Sequence, residues 1–212
     1  MNSSRRGFTL IDFLVTLAVI LVLAVVLVPT TRSNKKTFRL TCVNQLKQVG
    51  LAFRVWANDN GDKYPMFVPV ESGGTMGLTN GVDTYRHFQV ISNELSVPYF
   101  LLCPSDIRIV ATNFTQFNNQ NVSYFVGLDA NETNISMFLA GDRNLTCDQP
   151  PVSGVLNLSP SQKLGWSNQI HKRTGNVALA DGSVLTCSEK MVTETFRASG
   201  ETTNVWRLSL PE

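Results

Sequence analysis

The first thirty residues are far more apolar than the rest of the chain. Only Thr16 is polar between residues 13 and 28, and extending the run back to Phe8 gives twenty-one residues. A helix of that length can cross a bilayer. One acid, Asp12, interrupts the run, and a carboxylate at membrane depth is costly. The pattern predicts a membrane-spanning helix with an unexplained acid near its start.

A second helical pattern follows Pro29. Apolar side chains recur in steps of three and four and end at Asn60-Gly61, a typical helix stop; they are Phe38, Cys42, Leu46, Val49, Phe53 and Trp56. The predicted helix has one apolar face, which needs a sheet to cover it. The acidic and amide residues at 58–62 lack the spacing of an EF-hand, so we interpret them as a helix end followed by a polar turn.

The remainder of the chain predicts short helices and strands. Asp181-Gly182 favours a two-residue hairpin turn within residues 177–185. Residues 71–84 and 142–168 show little periodicity and are predicted to be loops. Further helices are expected at 85–95 and 191–198, and strands at 122–128, 136–140 and 204–210. The fold class is therefore α+β, with a helix packed on a small antiparallel sheet.

Composition narrows the function. The 212 residues suit one modest domain with an appendage, and a net charge of +2 with 16% charged residues is too weak to indicate nucleic-acid binding. The four cysteines form no CxxC pair and have no histidine close in sequence, so no metal site is expected. In an extracytoplasmic protein we expect one or two disulfides, and in a cytoplasmic one four buried thiols; the residues alone leave three pairings open. They are Cys42, Cys103, Cys147 and Cys187.

No catalytic pattern is present. His87 and His171 are far apart in sequence, and we interpret the latter as a loop residue. Asp142 and Asp181 are interpreted as turn acids that cap the backbone. The chain has no GxSxG, HExxH or P-loop sequence. We therefore expect a protein that is not an enzyme.

The N-terminal residues resemble a known processing signal. Arg5-Arg6-Gly7-Phe8-Thr9-Leu10-Ile11-Asp12-Phe13-Leu14 is similar to the class III signal of type IV pilins and type II secretion pseudopilins. The resemblance implies that a prepilin peptidase cuts between Gly7 and Phe8 and methylates the new amino terminus. Asp12 takes the position of the usual glutamate, one methylene shorter. Pro29 falls where many members carry a helix-kinking proline.

The resemblance also offers a role for Asp12 in assembly. Cleavage would create an amine on Phe8, which needs an opposite charge when helices pack in a medium of low dielectric constant. Asp12 lies four residues from Phe8, on the same helix face. It could pair with its own amine or with that of a neighbouring subunit, and the sequence leaves both open.

Three later blocks extend the resemblance along the chain. The segment from Cys42 to Pro65, Cys103-Pro-Ser-Asp106 and the stretch Asn176-Val-Ala-Leu-Ala-Asp-Gly-Ser-Val184 are similar to the G-like pseudopilins of planctomycetes and verrucomicrobia. The recurrence of the first two blocks together implies the pairing Cys42–Cys103, which leaves Cys147–Cys187. Some G-like pseudopilins bind calcium in a C-terminal loop, but those ligands do not map onto this chain. We expect no cofactor and no metal.

The resemblance implies a complete domain organisation and function. Residues 1–7 are the leader, 8–29 the transmembrane and assembly helix, 30–63 its amphipathic continuation, and 64–212 a periplasmic globular domain. The two helical parts form one long helix in such proteins. The expected function is a structural subunit of a type II secretion pseudopilus or a type IV pilus-like filament. Expected partners are prepilin peptidase, other pseudopilin subunits, an inner-membrane assembly platform and the membrane, without nucleic acid.

The expected location is the bacterial inner membrane, crossed once, with the filament in the periplasm or at the cell surface. An alternative is a single-pass, membrane-tethered extracytoplasmic binding module that does not polymerise. A second alternative is a eukaryotic type II membrane glycoprotein, in which Gly7-Phe8 and Asp12 have no role. The evidence for this second alternative is a set of N-x-S/T glycosylation sequons, which begin at Asn113, Asn121, Asn131, Asn134, Asn144 and Asn157.

Overall fold

The computed structural model describes residues 9–27, 34–199 and 206–212. The chain divides into two units, Met1–Asn34 and Lys35–Glu212. The first contains helix α1, and α2 begins at the boundary and belongs to the second. The helices are α1 (Leu10–Leu27), α2 (Asn34–Asp59), α3 (Thr84–Val90), α4 (Ser92–Leu95) and α5 (Glu189–Ala198).

The second unit is built on a six-stranded antiparallel sheet. Its strand order is β4-β8-β1-β2-β6-β7, and β3 and β5 form a separate two-stranded sheet. The α+β class and the antiparallel sheet therefore agree with the prediction. The strands are β1 (Tyr124–Gly127), β2 (Phe138–Asp142), β3 (Leu145–Cys147), β4 (Val155–Leu158), β5 (Leu164–Trp166), β6 (Thr174–Leu179), β7 (Val184–Ser188) and β8 (Trp206–Ser209).

The predicted single long N-terminal helix is wrong. The structure has two separate helices instead, of 18 residues (α1) and 26 residues (α2). The apolar run is longer than the helix it forms, because Thr9 and Asp12 cap the helix and it begins only at Leu10.

The expected membrane location also has to be corrected. Among the described residues, no helix combines the length and the apolarity that a membrane crossing requires. The expectation of a single-pass inner-membrane protein with a periplasmic domain is overturned by this finding.

Helix α2 supplies one wall of the core of the second unit. Its predicted apolar face is buried from Cys42 through Leu46, Val49 and Phe53 to Trp56. The prediction fails only at its first position, since Phe38 is exposed. The helix ends at Asp59, followed by Gly61 at φ +71°, which confirms the predicted stop and polar turn.

The hairpin β6–β7 has a longer turn than predicted. The N–H of Leu179 donates to Ser183 O, and that of Gly182 donates to Leu179 O, so residues 180–182 form the loop. Gly182 has φ +85°, which a glycine adopts without strain. The predicted two-residue turn at Asp181-Gly182 is therefore a three-residue turn with a bulge.

Two further stretches differ from the prediction. Residues 142–168, predicted as a loop, contain β3, β4 and β5, whose three or four residues are too short to show a period. The helix predicted at 85–95 is two short helices, α3 and α4, separated at Ile91. Helix α5 and the strands β1, β2 and β8 confirm elements that the sequence predicted.

Candidate functional site

The residues of the predicted processing signal are only partly described. Gly7, Phe8 and Pro29 lie outside the described residues, so their predicted roles in cleavage, methylation and assembly stay predictions. Asp12 is described and lies in the first turn of α1.

Asp12 caps the start of its own helix. Its Oδ2 accepts a hydrogen bond from Thr9 N at 2.9 Å and another from Thr9 Oγ1 at 2.7 Å. In return Thr9 Oγ1 accepts from Asp12 N at 3.3 Å. This reciprocal pattern is a capping box, with aspartate in the place of the usual glutamate. The backbone hydrogen bond from Thr9, followed by the side-chain one, lowers the pKa of Asp12.

The remainder of α1 presents apolar side chains on every face. All side chains of residues 10–24 are exposed within the chain. Leu10 is 77% exposed and Ile20 is 63% exposed, values that a side chain in a packed core never has. An apolar surface of this extent marks an interaction site.

The cysteines of the second unit form one disulfide. Cys42, in α2, is bonded to Cys103, and both are fully buried. This confirms the first pairing that the resemblance implied. The second pairing is wrong, because Cys147 and Cys187 are free thiols. They lie in different sheets: Cys147 on β3, where its thiol donates to Gln149 O, and Cys187 on the edge strand β7.

A histidine and an acid lie beside this disulfide. His171 Nε2 is 3.4 Å from Cys103 Sγ and 3.6 Å from Asp142 Oδ2. His171 is 4% exposed, and Asp142 is fully buried at the end of β2. We refer to Cys42, Cys103, Asp142 and His171 as the Cys–His–Asp cluster. The interpretation of Asp142 as a turn acid was wrong, since it ends β2 and accepts hydrogen bonds from Asn176. His171 lies in a bend before β6, which confirms its interpretation as a loop residue.

Burial shifts the pKa of the acid upward and the pKa of the histidine downward. Burial raises the pKa of Asp142 to about 7, against the opposing effect of its hydrogen bonds from Asn176. Burial, and then the charge of Arg39, lower the pKa of His171 to about 4. Between these two values Asp142 keeps its proton and His171 is neutral. The 3.6 Å contact is therefore a contact of neutral groups, and no ion pair forms there.

The two oxygens of Asp142 differ in their contacts. Oδ2 accepts hydrogen bonds from Asn176 N at 2.7 Å and from Asn176 Nδ2 at 3.0 Å. Oδ1 is buried and has no hydrogen-bond partner among the described residues. The hydroxyl of Tyr124, the residue paired with Asp142 between β1 and β2, is also buried and has no hydrogen-bond partner among the described residues. Burying polar atoms without partners costs stability, so the cluster has capacity for a further ligand or donor.

The Cys103-Pro-Ser-Asp106 turn fixes one side of the cluster. Asp106 accepts from Arg143 Nε at 2.8 Å, Arg143 Nη2 at 2.7 Å and Ser123 Oγ at 2.9 Å. Ser123 Oγ in turn accepts from Cys103 N at 3.0 Å. Although burial raises the pKa of Asp106, the bonds and charge of Arg143 outweigh it and hold the pKa below its usual value. The turn thus locks Cys103 in place.

The three sequence blocks that resemble the G-like pseudopilins meet at the Cys–His–Asp cluster. Cys42 comes from the first block, Cys103 and Asp106 from the second, and Asn176 from the third. The sequence did not predict that Asp142 and His171 lie beside the residues of these blocks. One feature of the sequence could have indicated it for the histidine: His171 is one of two histidines in the chain and lies five residues before Asn176. No family model, no curated protein and no solved structure matches the chain.

Proposed function

We propose that the protein is a pilin-like structural subunit that assembles with copies of itself through α1. The observation that carries the proposal is the exposure of the apolar side chains of residues 10–24. Apolar area left in water costs roughly 25 cal/mol per Å² relative to its burial. Association of α1 with further copies of α1 removes that cost.

The distribution of apolar residues favours a bundle over a pair. A helix that pairs with one partner needs a single apolar stripe, whereas α1 is apolar around its whole circumference. Leu10 and Val19 lie on opposite faces, about 180° apart around the helix, and both are exposed. Several neighbours are needed to cover them, as in a filament core.

Asp12 is compatible with such a core because its own helix stabilises it. The carboxylate lies in the first turn, where the helix dipole favours negative charge. Its two hydrogen bonds come from Thr9, two residues beyond the predicted cleavage junction Gly7-Phe8. After cleavage the amine of Phe8 would therefore emerge next to a carboxylate that is already oriented. This supports Asp12 as the partner of the amine of its own chain.

Two measurements test the proposal. The first is mass spectrometry of the mature N-terminus from cells with an active prepilin peptidase, where we expect a methylated Phe8. Gly7→Ala should leave the leader attached. A wild-type chain that keeps its leader in such cells would overturn the processing step.

The second measurement is the size distribution of the processed full chain by sedimentation velocity. Ile20→Lys places a charge in the middle of α1 and should abolish assembly. Ile107→Lys is the matched control, since Ile107 is 89% exposed in the second unit and should be neutral. Equal assembly of Ile20→Lys and wild type would overturn the proposal, and so would equal loss in both variants.

A further inference from the structure

Three side chains of the Cys–His–Asp cluster are arranged like the ligands of a metal ion. The Sγ atoms of Cys42 and Cys103 and a ring nitrogen of His171 all lie within 4.8 Å of one another. All three residues are buried. Two sulfurs and one imidazole are a ligand set typical of Zn²⁺.

The separation between sulfur and nitrogen matches tetrahedral coordination, whereas the two sulfurs, bonded at 2.01 Å, have to move to about 3.8 Å apart after reduction. Zn–S bonds of about 2.3 Å and Zn–N bonds of about 2.05 Å place sulfur and nitrogen ligands about 3.6 Å apart. His171 Nε2 is 3.4 Å from Cys103 Sγ. Asp142 Oδ2 is 3.6 Å from the same nitrogen, but Asp142 is not among the residues whose ligand atoms all lie within 4.8 Å of one another.

The unpartnered oxygen of Asp142 points independently to a ligand. Its Oδ1 has no hydrogen-bond donor among the described residues although the side chain is fully buried. A buried oxygen without a partner is costly, and a nearby cation would compensate that cost. Asp142 therefore places a buried oxygen without a hydrogen-bond donor beside the ligand histidine.

The disulfide prevents metal binding in the oxidised protein. The two sulfurs are bonded to each other and carry no thiolate charge, and the thiolate is the form that binds Zn²⁺. We propose that reduction of Cys42–Cys103 converts the cluster into a Zn²⁺ site, with Cys42, Cys103 and His171 as ligands.

The chemistry of the conversion balances. Reduction by a phosphine breaks the S–S bond with two electrons from phosphorus; water supplies the oxygen of the phosphine oxide and the protons of the two thiols. A dithiol reductant would instead form its own disulfide and transfer two electrons and two protons to the two cysteines. Zn²⁺ then displaces one proton from each thiol, and the neutral imidazole binds through its lone pair.

The surrounding fold can hold either form. Cys42 is on α2, Cys103 follows a short helix and is fixed by Ser123, and Asp142 ends β2. His171 precedes β6, and its carbonyl oxygen accepts a hydrogen bond from Arg39 at 3.3 Å. The four groups thus come from four segments of one unit. A bound ion would link these segments in the reduced protein as the covalent bond links them in the oxidised one.

The test uses the full chain with Co²⁺ as a spectroscopic substitute for Zn²⁺. After reduction with a phosphine, we expect one equivalent of Co²⁺ to bind, with a tetrahedral visible spectrum and a thiolate charge-transfer band. Addition of Zn²⁺ should remove both signals. The oxidised chain should show neither, and near-ultraviolet circular dichroism monitors folding throughout.

Matched variants assign the ligands. Cys42→Ser/Cys103→Ser should lose the charge-transfer band, whereas Cys147→Ser/Cys187→Ser, which keeps the cluster, should bind like wild type. Asp142→Asn keeps the side-chain shape and should weaken binding about 10- to 100-fold.

The proposal is overturned if the reduced, folded wild type binds no Co²⁺. Binding that persists in Cys42→Ser/Cys103→Ser, or that disappears only in Cys147→Ser/Cys187→Ser, also overturns it. If His171→Gln or Asp142→Asn fails to fold, the comparison of Cys42→Ser/Cys103→Ser with Cys147→Ser/Cys187→Ser decides, because it shows which pair of thiols supplies the sulfur ligands.

Discussion

Removal of the Cys42–Cys103 disulfide should cost the protein about 4 kcal/mol of unfolding free energy. The bond joins residues 61 positions apart, and both sulfurs are fully buried. A closed loop of that length lowers the entropy of the unfolded chain by about 14 cal/mol/K, which is about 4 kcal/mol at 25 °C. The variant Cys42→Ala/Cys103→Ala removes the bond without leaving a buried thiol.

The assay is urea denaturation of the full chain, followed by tryptophan fluorescence, with a chelator present so that no ion replaces the bond. The midpoint should fall strongly for the double variant, and for wild type under reducing conditions. The variant Cys147→Ser is the control, since its free thiol closes no loop and its midpoint should respond to reductant as wild type does. A loss below about 1 kcal/mol would refute the loop-entropy reasoning.

Three further predictions concern packing, charge and pH, each measured by urea denaturation. Gly127→Ala should cost about 1–3 kcal/mol, because its Cβ would lie 1.9 Å from a carbonyl oxygen of β2; Gly50→Ala meets only ordinary contacts at 3.7 Å or more and should gain up to about 1 kcal/mol. Arg143→Met strands a buried carboxylate and should cost about 3–5 kcal/mol, whereas Arg86→Met, in an exposed pair, should cost under about 1 kcal/mol. Burial lowers the pKa of His87 to about 4, from about 6.5 in the unfolded chain. The free energy of unfolding should therefore fall by about 3 kcal/mol as the pH is lowered from 6.5 to 4, and the His87→Gln variant should lack this fall. Equal changes in unfolding free energy for the two glycine variants, or for the two arginine variants, would contradict the structural assignments. The same would follow if His87→Gln had the pH profile of the wild type.

The second unit was predictable where a pattern spanned several turns. The stripe on α2 repeats over four helical turns, so a single error at Phe38 left the buried face correct. The hairpin strands were predictable because Asp181-Gly182 separates two apolar runs. Strands β3 to β5 were not predictable: each has three or four residues, and a period of two cannot be recognised over so short a length.

The Cys–His–Asp cluster was beyond sequence reasoning for a different reason. Asp142 and His171 are 29 residues apart and meet only because β2 pairs with β6, which brings Asn176 opposite the end of β2. Gly-Asp-Arg is a typical turn sequence, and nothing local shows that its acid is buried. The pairing of Cys42 with Cys103 came from the resemblance alone, since the residues left three pairings open.

The N-terminal helix shows how one pair of residues can change the meaning of a pattern. Hydropathy alone counts Thr9 and Asp12 as two defects in a long apolar run. In the structure they satisfy each other's backbone groups and set the helix start at Leu10. The acid therefore has a structural role before any cleavage occurs, and this role needs an oxygen that reaches back to Thr9 N, which aspartate provides. Assembly through α1 would use the same carboxylate a second time, with its position already fixed by the cap.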